Sequence, residues 1–490
     1  MLVGIDIGTQ SLKVLVLDGQ LRVRGEASAP YETIYPRHGW AEQDANDWLR
    51  ALRPTIGAAL AEAECVPDAV TAIGIAGQLD GCVPVDADGA AIGPAIVWMD
   101  RRADAMIGEA CARLVRERTG LVPDGTHMAA KIAWVQRHDP ETARGTVTWH
   151  QPVSFVVAAL TGAAVMDPAL ASTTMLTGID APGWDARLCE AFGVDAARLP
   201  AMAAAGSVAG VLGARGAALT GLSPGCRVAV GTGDDFSNPL GSGIAAPGTI
   251  GVTLGTGEVV SAVAAEPVRD AAQLVETRRY VTGQYQLGNP GWLSGGAVRW
   301  LREVIGVSCD ADVHALAEKA PAWSDGVLFF PGLSGAMSPV WDAGARASFY
   351  GMSSGHDRSH LARALLEGTA FAMRDVVERL GELGEAADGI RLAGGGARSA
   401  LWAQMRADIC GLPVVALTGP DASALGAGVL AAVADRRFAS IAEAVAGLPL
   451  AATRHEPLAA TRAAYDDAYG RYRLLFRQLQ PVFGGLQPRW

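Results

Sequence analysis

Two short glycine–threonine segments carry the first chemical signal in this sequence. Gly4-Ile5-Asp6-Ile7-Gly8-Thr9 and Gly251-Val252-Thr253-Leu254-Gly255-Thr256 share glycine at their first and fifth positions and threonine at the sixth. A glycine turn between strands exposes consecutive backbone N–H groups, and glycine leaves no Cβ to block an anion. Thr9 and Thr256 add a hydroxyl donor to each turn. Two such loops suit a polyphosphate gripped between them. Asp6, just before the first loop, would sit beside those phosphates, where a carboxylate can hold Mg²⁺ through water. One loop alone would read as a plain hairpin turn. The second lies 247 positions after the first in a chain of 490, so the pair reads as an internal duplication.

Two further clusters bear chemistry. In Gly389-Ile390-Arg391-Leu392-Ala393-Gly394-Gly395-Gly396-Ala397-Arg398-Ser399 a strand runs into three glycines and then a helix from about Ser399 to Ile409. Open α/β sheets bind ligands at such strand ends, and the glycines let a flat ring approach the backbone. The order of residues is not that of a Walker A loop. In Val228-Ala229-Val230-Gly231-Thr232-Gly233-Asp234-Asp235 two carboxylates follow an apolar strand. A loop aspartate there suits a base that takes a hydroxyl proton during phosphoryl transfer. It equally suits a helix N-cap, and position alone leaves both readings open.

The elements that must position these residues alternate between strand and helix. The N-terminus reads as a meander: strand at 2–7, glycine turn, strand at 13–18 and, after Asp18-Gly19, a third at about 21–28. Val70–Ala76, Ala95–Trp98, Val259–Ala264, Gly389–Leu392 and Val414–Leu417 read as further strands. Residues 357–380 read as a helix capped by Asp357, with Leu361, Leu365, Met373 and Val377 on one stripe. A last helix spans about 456–480, its stripe Tyr465, Tyr469, Tyr472, Phe476 and Leu479 reading as core, and Pro481 is expected to end it. Strand–helix alternation implies α/β domains with partly parallel sheets. The division is expected near residue 245, giving domains 1–244 and 245–490.

Composition excludes several classes. With 50% hydrophobic and 19% charged residues the chain has ample core for two domains. Its net charge of −11 argues against a nucleic-acid partner. The longest basic runs are pairs such as Arg101-Arg102 and Arg278-Arg279, which read as solvated surface. Seven scattered cysteines with no C-x-x-C pair fit neither a disulfide framework nor a zinc site. No signal peptide or membrane span is expected, and the cytoplasm is the expected compartment. A homodimer is the base-rate expectation for assembly.

Taken in order, the two Gly-Thr loops, Gly74-Ile75-Ala76-Gly77-Gln78, Ala95-Ile96-Val97-Trp98-Met99-Asp100-Arg101, Gly231-Thr232-Gly233-Asp234, Pro331-Gly332-Leu333-Ser334-Gly335 and Gly394-Gly395-Gly396-Ala397 resemble the FGGY family of carbohydrate kinases. The resemblance spans nearly the whole chain and is strongest to the xylulokinase branch. It implies two actin-like (ribonuclease H-like) α/β domains with a cleft for ATP and sugar between them. Sugar would lie mainly on the first domain and ATP mainly on the second. It implies transfer of the ATP γ-phosphate to a sugar hydroxyl, with a ketopentose such as D-xylulose as acceptor and Asp234 as catalytic base. Asp6 would serve Mg²⁺. Gly8, Thr9, Lys13, Gly255, Thr256, Gly394, Gly395, Gly396 and Ala397 would form the nucleotide side. Gln78, Leu79, Asp80, Trp98 and Asp235 would form the sugar side.

The chain departs from the xylulokinase pattern twice. Leu79-Asp80-Gly81 stands where Met-His-Gly is usual, and an ionised Asp80 can only accept hydrogen bonds. That leaves another pentulose or a polyol open as the acceptor, as is an Asp80 that points away from it. Gly335-Ala336-Met337 stands where Glu-Arg-Thr is usual, removing polar groups near the expected cleft. These departures motivate a second hypothesis, a sugar- or nucleotide-sensing relative without turnover. The presence of Asp6, Asp234 and both threonines argues against it. A chaperone- or actin-like ATPase would need an additional domain between the halves, which the sequence lacks.

Overall fold

The computed structural model describes residues 1–483. Two seven-stranded sheets dominate it, and they repeat one topology. In the first, Leu2–Ile7 pairs antiparallel with Ser11–Leu17, which pairs antiparallel with Val23–Pro30. On its other side Leu2–Ile7 pairs parallel with Ala72–Gly77, followed by Arg227–Ala229 (parallel) and Val208–Val211 (antiparallel). In the second, Ile250–Leu254 takes the central place. Gly257–Ala264 and Tyr285–Leu293 follow as the antiparallel arm. Ile390–Ala393, Val414–Leu417 and Ala452–His455 follow on the other side, the first two parallel and the last antiparallel. The duplication seen in the two loops is thus a duplication of whole sheets. The second sheet reaches seven with the edge strand Glu276–Arg279, and the first with the short Thr232–Gly233, which pairs parallel with Ala72–Gly77.

Central strands covered on both faces are continuously apolar. Leu2–Ile7 and Ala72–Gly77 are buried at every position. The helix Ala422–Ala434 from the second half lies against them. It comes so close that a Cβ at Gly4 would stand 2.1 Å from the Ala424 carbonyl, and one at Gly74 would stand 1.8 Å from that of Ala427. Helix Asp234–Gly241 packs beside it, and a core formed by Leu2, Leu17, Phe236, Leu240, Leu425 and Val429 joins the two halves.

Helix Arg358–Glu382 is capped by Asp357, whose carboxylate accepts from the Ser359 N–H. The aromatic stripe of the last helix is core: Tyr465, Tyr469, Tyr472 and Phe476 pack with Phe330 and Phe371. That helix, Ala459–Phe483, continues past Pro481. Proline in a final turn forfeits one hydrogen bond, and Phe483, buried against Phe330 and Phe476, offsets the loss. The strand expected at Ala95–Trp98 is shorter, Ala95–Ile96, because its partner Glu42–Gln43 offers only two residues to pair with. No helix among the described residues is long and apolar enough to cross a membrane.

Candidate functional site

Parallel strands that end together bring their loops together. Asp6 lies level with Ala76, and Ala76 with Thr232, so the loops after Ile7, Gly77 and Gly233 open on one edge of the first sheet. That edge collects Asp6, Gly8, Thr9, Gln78, Leu79, Asp80, Asp234 and Asp235. In the second sheet Thr253 lies level with Ala393, which sets Gly255 and Thr256 beside Gly394, Gly395 and Gly396. Gly394 has φ of 92° and a Cβ there would stand 2.6 Å from the Leu254 carbonyl, so only glycine fits. Gly395 is open on all sides, whereas Ala397 is buried in the core beneath the loop.

Around the first loop, Asp6 is almost fully buried. Its Oδ1 accepts from Ser423 Oγ at 3.0 Å, and its Oδ2 lies 3.5 Å from Nζ of Lys13, its cross-strand partner. Lys13 Nζ also meets Asp421 at 2.6 Å. Burial, then the Asp421 carboxylate, raise Asp6 to about 6 against the pull of Lys13 and Ser423. Ser423 Oγ stands 2.8 Å from Ser237 Oγ, one turn beyond Asp234. Trp98, half exposed, donates from Nε1 to Thr9 Oγ1 at 2.9 Å, joining an expected sugar-side residue to an expected phosphate-side one. Gln78 is buried behind the loop and donates to Gln43 Oε1 at 2.8 Å, while Gln43 donates to the Thr9 carbonyl at 2.6 Å.

Asp234 and Asp235 open helix Asp234–Gly241, with Gly233 as the N-cap. Neither is the cap itself. Burial, then Asp235 and Asp6, push Asp234 well above the usual carboxylate range. Leu79 packs on Gly233.

Asp80 faces a second buried charge cluster. Its φ of 60° is a left-handed conformation that aspartate tolerates better than most residues. Its Oδ1 lies 3.2 Å from His127 Nδ1, and His127 Nε2 lies 3.8 Å from Glu276 Oε1. Lys131 Nζ donates to the carbonyls of Asp80 and Val97 at 2.7 and 2.9 Å. Arg278 Nη1 donates to Asp235 Oδ2 at 2.7 Å. Sequence reasoning missed His127, Lys131, Glu276, Arg278, Gln286, Asp421 and Ser423. Lys131 left a signal, a lone cation in the apolar run Met128–Val135. The expectation that Arg101-Arg102 and Arg278-Arg279 lie on solvated surface is overturned in part. Arg102 and Arg278 side chains are each 3% exposed, paired with Asp100 and Asp235. Their partners come from tertiary packing that a dipeptide cannot reveal.

The Gly335-Ala336-Met337 segment forms a tight loop pinned by Asn289, whose side chain donates to the Met337 carbonyl at 2.8 Å. Among the described residues no three His, Cys, Asp or Glu side chains are grouped to enclose a metal ion. Mg²⁺ needs less, since one or two carboxylates plus water and phosphate oxygens suffice, and the hard oxygens of Asp6 meet that requirement.

A duplicated sheet with glycine-rich loops at the carboxyl edge of each copy defines the actin-like class of two-domain phosphotransferases. Residues 1–241 match the N-terminal domain and residues 251–434 the C-terminal domain of the FGGY family of carbohydrate kinases, and the chain belongs to that family. It is 32% identical over 449 residues to a glycerol kinase of Thermococcus onnurineus, covering 88% of this chain and 89% of that one. It is 31% identical over 486 residues to the xylulose kinase of Escherichia coli, covering 98% and 100%. The crystal structure of a xyloylose kinase from Brucella ovis superposes with a TM-score of 0.91 at 28% identity, over 98% of this chain and 99% of that one.

The His127 cluster has a consequence for stability. Burial pushes the imidazolium down, but Asp80 and Glu276 outweigh it and lift the group to about 10. The folded protein therefore keeps a proton that the unfolded chain sheds near 6.5. This stabilisation is complete below that pH and is lost as pH rises through about 10. Burial takes Lys131 down to about 8, so its charged form is disfavoured in the fold and its contribution runs the opposite way above that pH. Comparing parent with His127→Gln at each pH cancels the Lys131 term. The stability gap between them should shrink by about 1–2 kcal/mol from pH 6.5 to 8, at up to ~1.4 kcal/mol per unit. Urea unfolding across that window checks it; a gap that does not change with pH would show that folding leaves the His127 pKa where it is in the unfolded chain, and a gap that moves the other way would show His127 held neutral in the fold.

Proposed function

We propose that the protein transfers the γ-phosphoryl group of ATP to a hydroxyl of a neutral ketopentose of the D-xylulose type, with Asp234 as general base. The observation that carries the acceptor class is the charge balance of the buried cluster. His127, Lys131 and Arg278 face Asp80, Glu276 and Asp235, three cations against three carboxylates. No surplus positive charge remains for an acidic acceptor, whereas a polyhydroxylated neutral one meets both donors and acceptors. Gln78, Leu79, Asp80, Trp98 and Asp235 line the acceptor side in this reading.

On the nucleotide side, the turns Gly8-Thr9 and Gly255-Thr256, with Lys13, hold the phosphates. Gly394, Gly395 and Gly396, with Ala397 beneath them, support the adenosine. Asp6 holds Mg²⁺, which when bound neutralises phosphate charge. Asp234 accepts the hydroxyl proton as the new O–P bond forms and the bond from the γ-phosphorus to the bridging oxygen of ADP breaks. A raised pKa makes Asp234 the stronger base for that step. The two Gly-Thr turns present backbone donors to the developing charge. In this reading residues 1–244 hold mainly the acceptor and residues 245–490 mainly the nucleotide.

A second reading has support from the glycerol kinase relatives: a short polyol as acceptor. A coupled ADP-release assay over D-xylulose, D-ribulose, xylitol, glycerol and gluconate separates the two. D-Xylulose should give the highest kcat/KM and gluconate none above background. Preference for glycerol would install the second reading. Nucleotide binding with no ADP release on any acceptor would favour a sensor instead.

A further inference from the structure

Arg278 makes one strong contact and leaves two donors over. Its Nη1 is committed to Asp235, but Nε and Nη2, both buried, have no hydrogen-bond partner among the described residues. These two N–H groups lie on the same edge of the guanidinium and form a side-on fork. Gln286 is the residue paired opposite Arg278 on the neighbouring strand. Its Nε2 donates to the Asp235 carbonyl at 2.8 Å, and its Oε1 is a second buried atom without a partner. Gly288, one pleat further along, has no side chain to cover the fork; a Cβ there would press within 3.0 Å of Nη2. Buried polar atoms are costly to leave unpaired, so two donors and an acceptor left over in one place call for a group enclosed with them.

Resting on the kinase reading above, we infer that Arg278 and Gln286 form a hydroxyl-reading pair for the acceptor, with Arg278 as a specificity-determining residue supplied by the second half. The fork donates to two oxygens on adjacent carbons, and one of those hydroxyls donates in turn to Gln286 Oε1. A carboxylate would satisfy the fork and leave the Gln286 oxygen unpaired, because it has no proton to give. A vicinal diol satisfies all three atoms. The strand that carries Arg278 is also the one that docks on the first half. Thr277 N–H donates to the Gly120 carbonyl at 2.8 Å, and Arg279 N–H donates to Ser172 Oγ at 3.0 Å. The diol is therefore read where the two halves meet, beside Asp234.

The test pairs substitutions with single-deoxy analogues of the best acceptor. In the parent enzyme one or two of the analogues should lose roughly 10- to 100-fold in kcat/KM, the cost of stranding a charged donor. In Arg278→Met the parent sugar should fall to the level of those analogues, so that the deoxy penalty shrinks to within about 3-fold. A purely structural role predicts the same penalty in parent and variant, and that additive result would overturn the assignment. Arg278→Met also strands Asp235 and can fail to fold. Arg278→Lys then carries the test, because a single ammonium keeps the pair with Asp235 and loses the fork. The lysine variant should bind ATP as the parent does, by calorimetry, while its deoxy penalty collapses. An intact penalty in Arg278→Lys overturns the proposal. If no acceptor in the panel supports ADP release, the kinase reading and this inference fall together. An active enzyme with additive effects removes only the inference.

Discussion

Asp234→Asn should lower kcat by about 10²–10⁴-fold, the usual share of a positioned general base, equivalent to roughly 3–5 kcal/mol in the barrier. The substitution keeps shape and removes the proposed proton acceptor. Asp234 is not the N-cap of its helix, because Gly233 holds that place. The helix therefore does not depend on Asp234 as its N-cap. The Asp234 carboxylate accepts from the Asp235 N–H at 3.0 Å, a contact the asparagine oxygen can replace. The variant also relieves a crowd of carboxylates, since Asp235 and Asp6 both press on Asp234. Thermal stability should consequently be unchanged or slightly raised while turnover collapses. ATP affinity by calorimetry should stay within a few-fold of the parent. A variant that keeps kcat within a factor of ten would move the base elsewhere on the sheet edge.

What the sequence made legible is local or periodic. The turns at Gly8-Thr9 and Gly255-Thr256 stand out because each follows an apolar strand, and the half-chain spacing announced a repeated sheet. Asp234 and Asp6 were visible by type and place. The second charge cluster was not, for a physical reason. Asp80, His127, Arg278 and Asp235 are far apart in sequence, and nothing in the residues around each says that it is buried. Arg278 and Arg279 sit side by side on a strand whose side chains alternate between faces. Whether either face is wet depends on the docking of that strand against Gly120 and Ser172 of the first half. The helix Ala422–Ala434 raises the same difficulty. Its small residues carry no mark of a partner, and only the bare backbones of Gly4 and Gly74 show which sheet it crosses to. Pro481 failed as a stop because tertiary packing of Phe483 outweighed a local rule.

The second large effect is expected far from the reacting atoms, at the buried pair Glu258–Arg406. Both side chains are wholly buried, and the guanidinium grips the carboxylate with two hydrogen bonds of 2.6 and 2.8 Å. Ser294 Oγ adds a third at 2.6 Å. Burial raises Glu258 above the usual range, against the pull of Arg406 and Ser294. Arg406→Met removes the one charge among the described residues that is paired with the carboxylate and should cost about 3–5 kcal/mol in unfolding free energy. The damage should also reach the turn proposed to hold the ATP phosphates. Glu258 lies two residues after Thr256, and Ser294, which it holds, donates its backbone N–H to the Thr256 carbonyl at 3.1 Å. Loosening that anchor should raise KM for ATP several-fold and leave KM for the acceptor nearly unchanged. The double variant Glu258→Leu, Arg406→Met separates the two effects, since a buried ion pair replaced by apolar side chains is often near neutral for stability. It should regain most of the lost unfolding free energy. It should not regain the ATP affinity, because Ser294 is still released from its carboxylate. Full recovery of both would mean that the pair only fills the core, and that the second Gly-Thr turn is held by its own backbone contacts to Gly295 and Gly296.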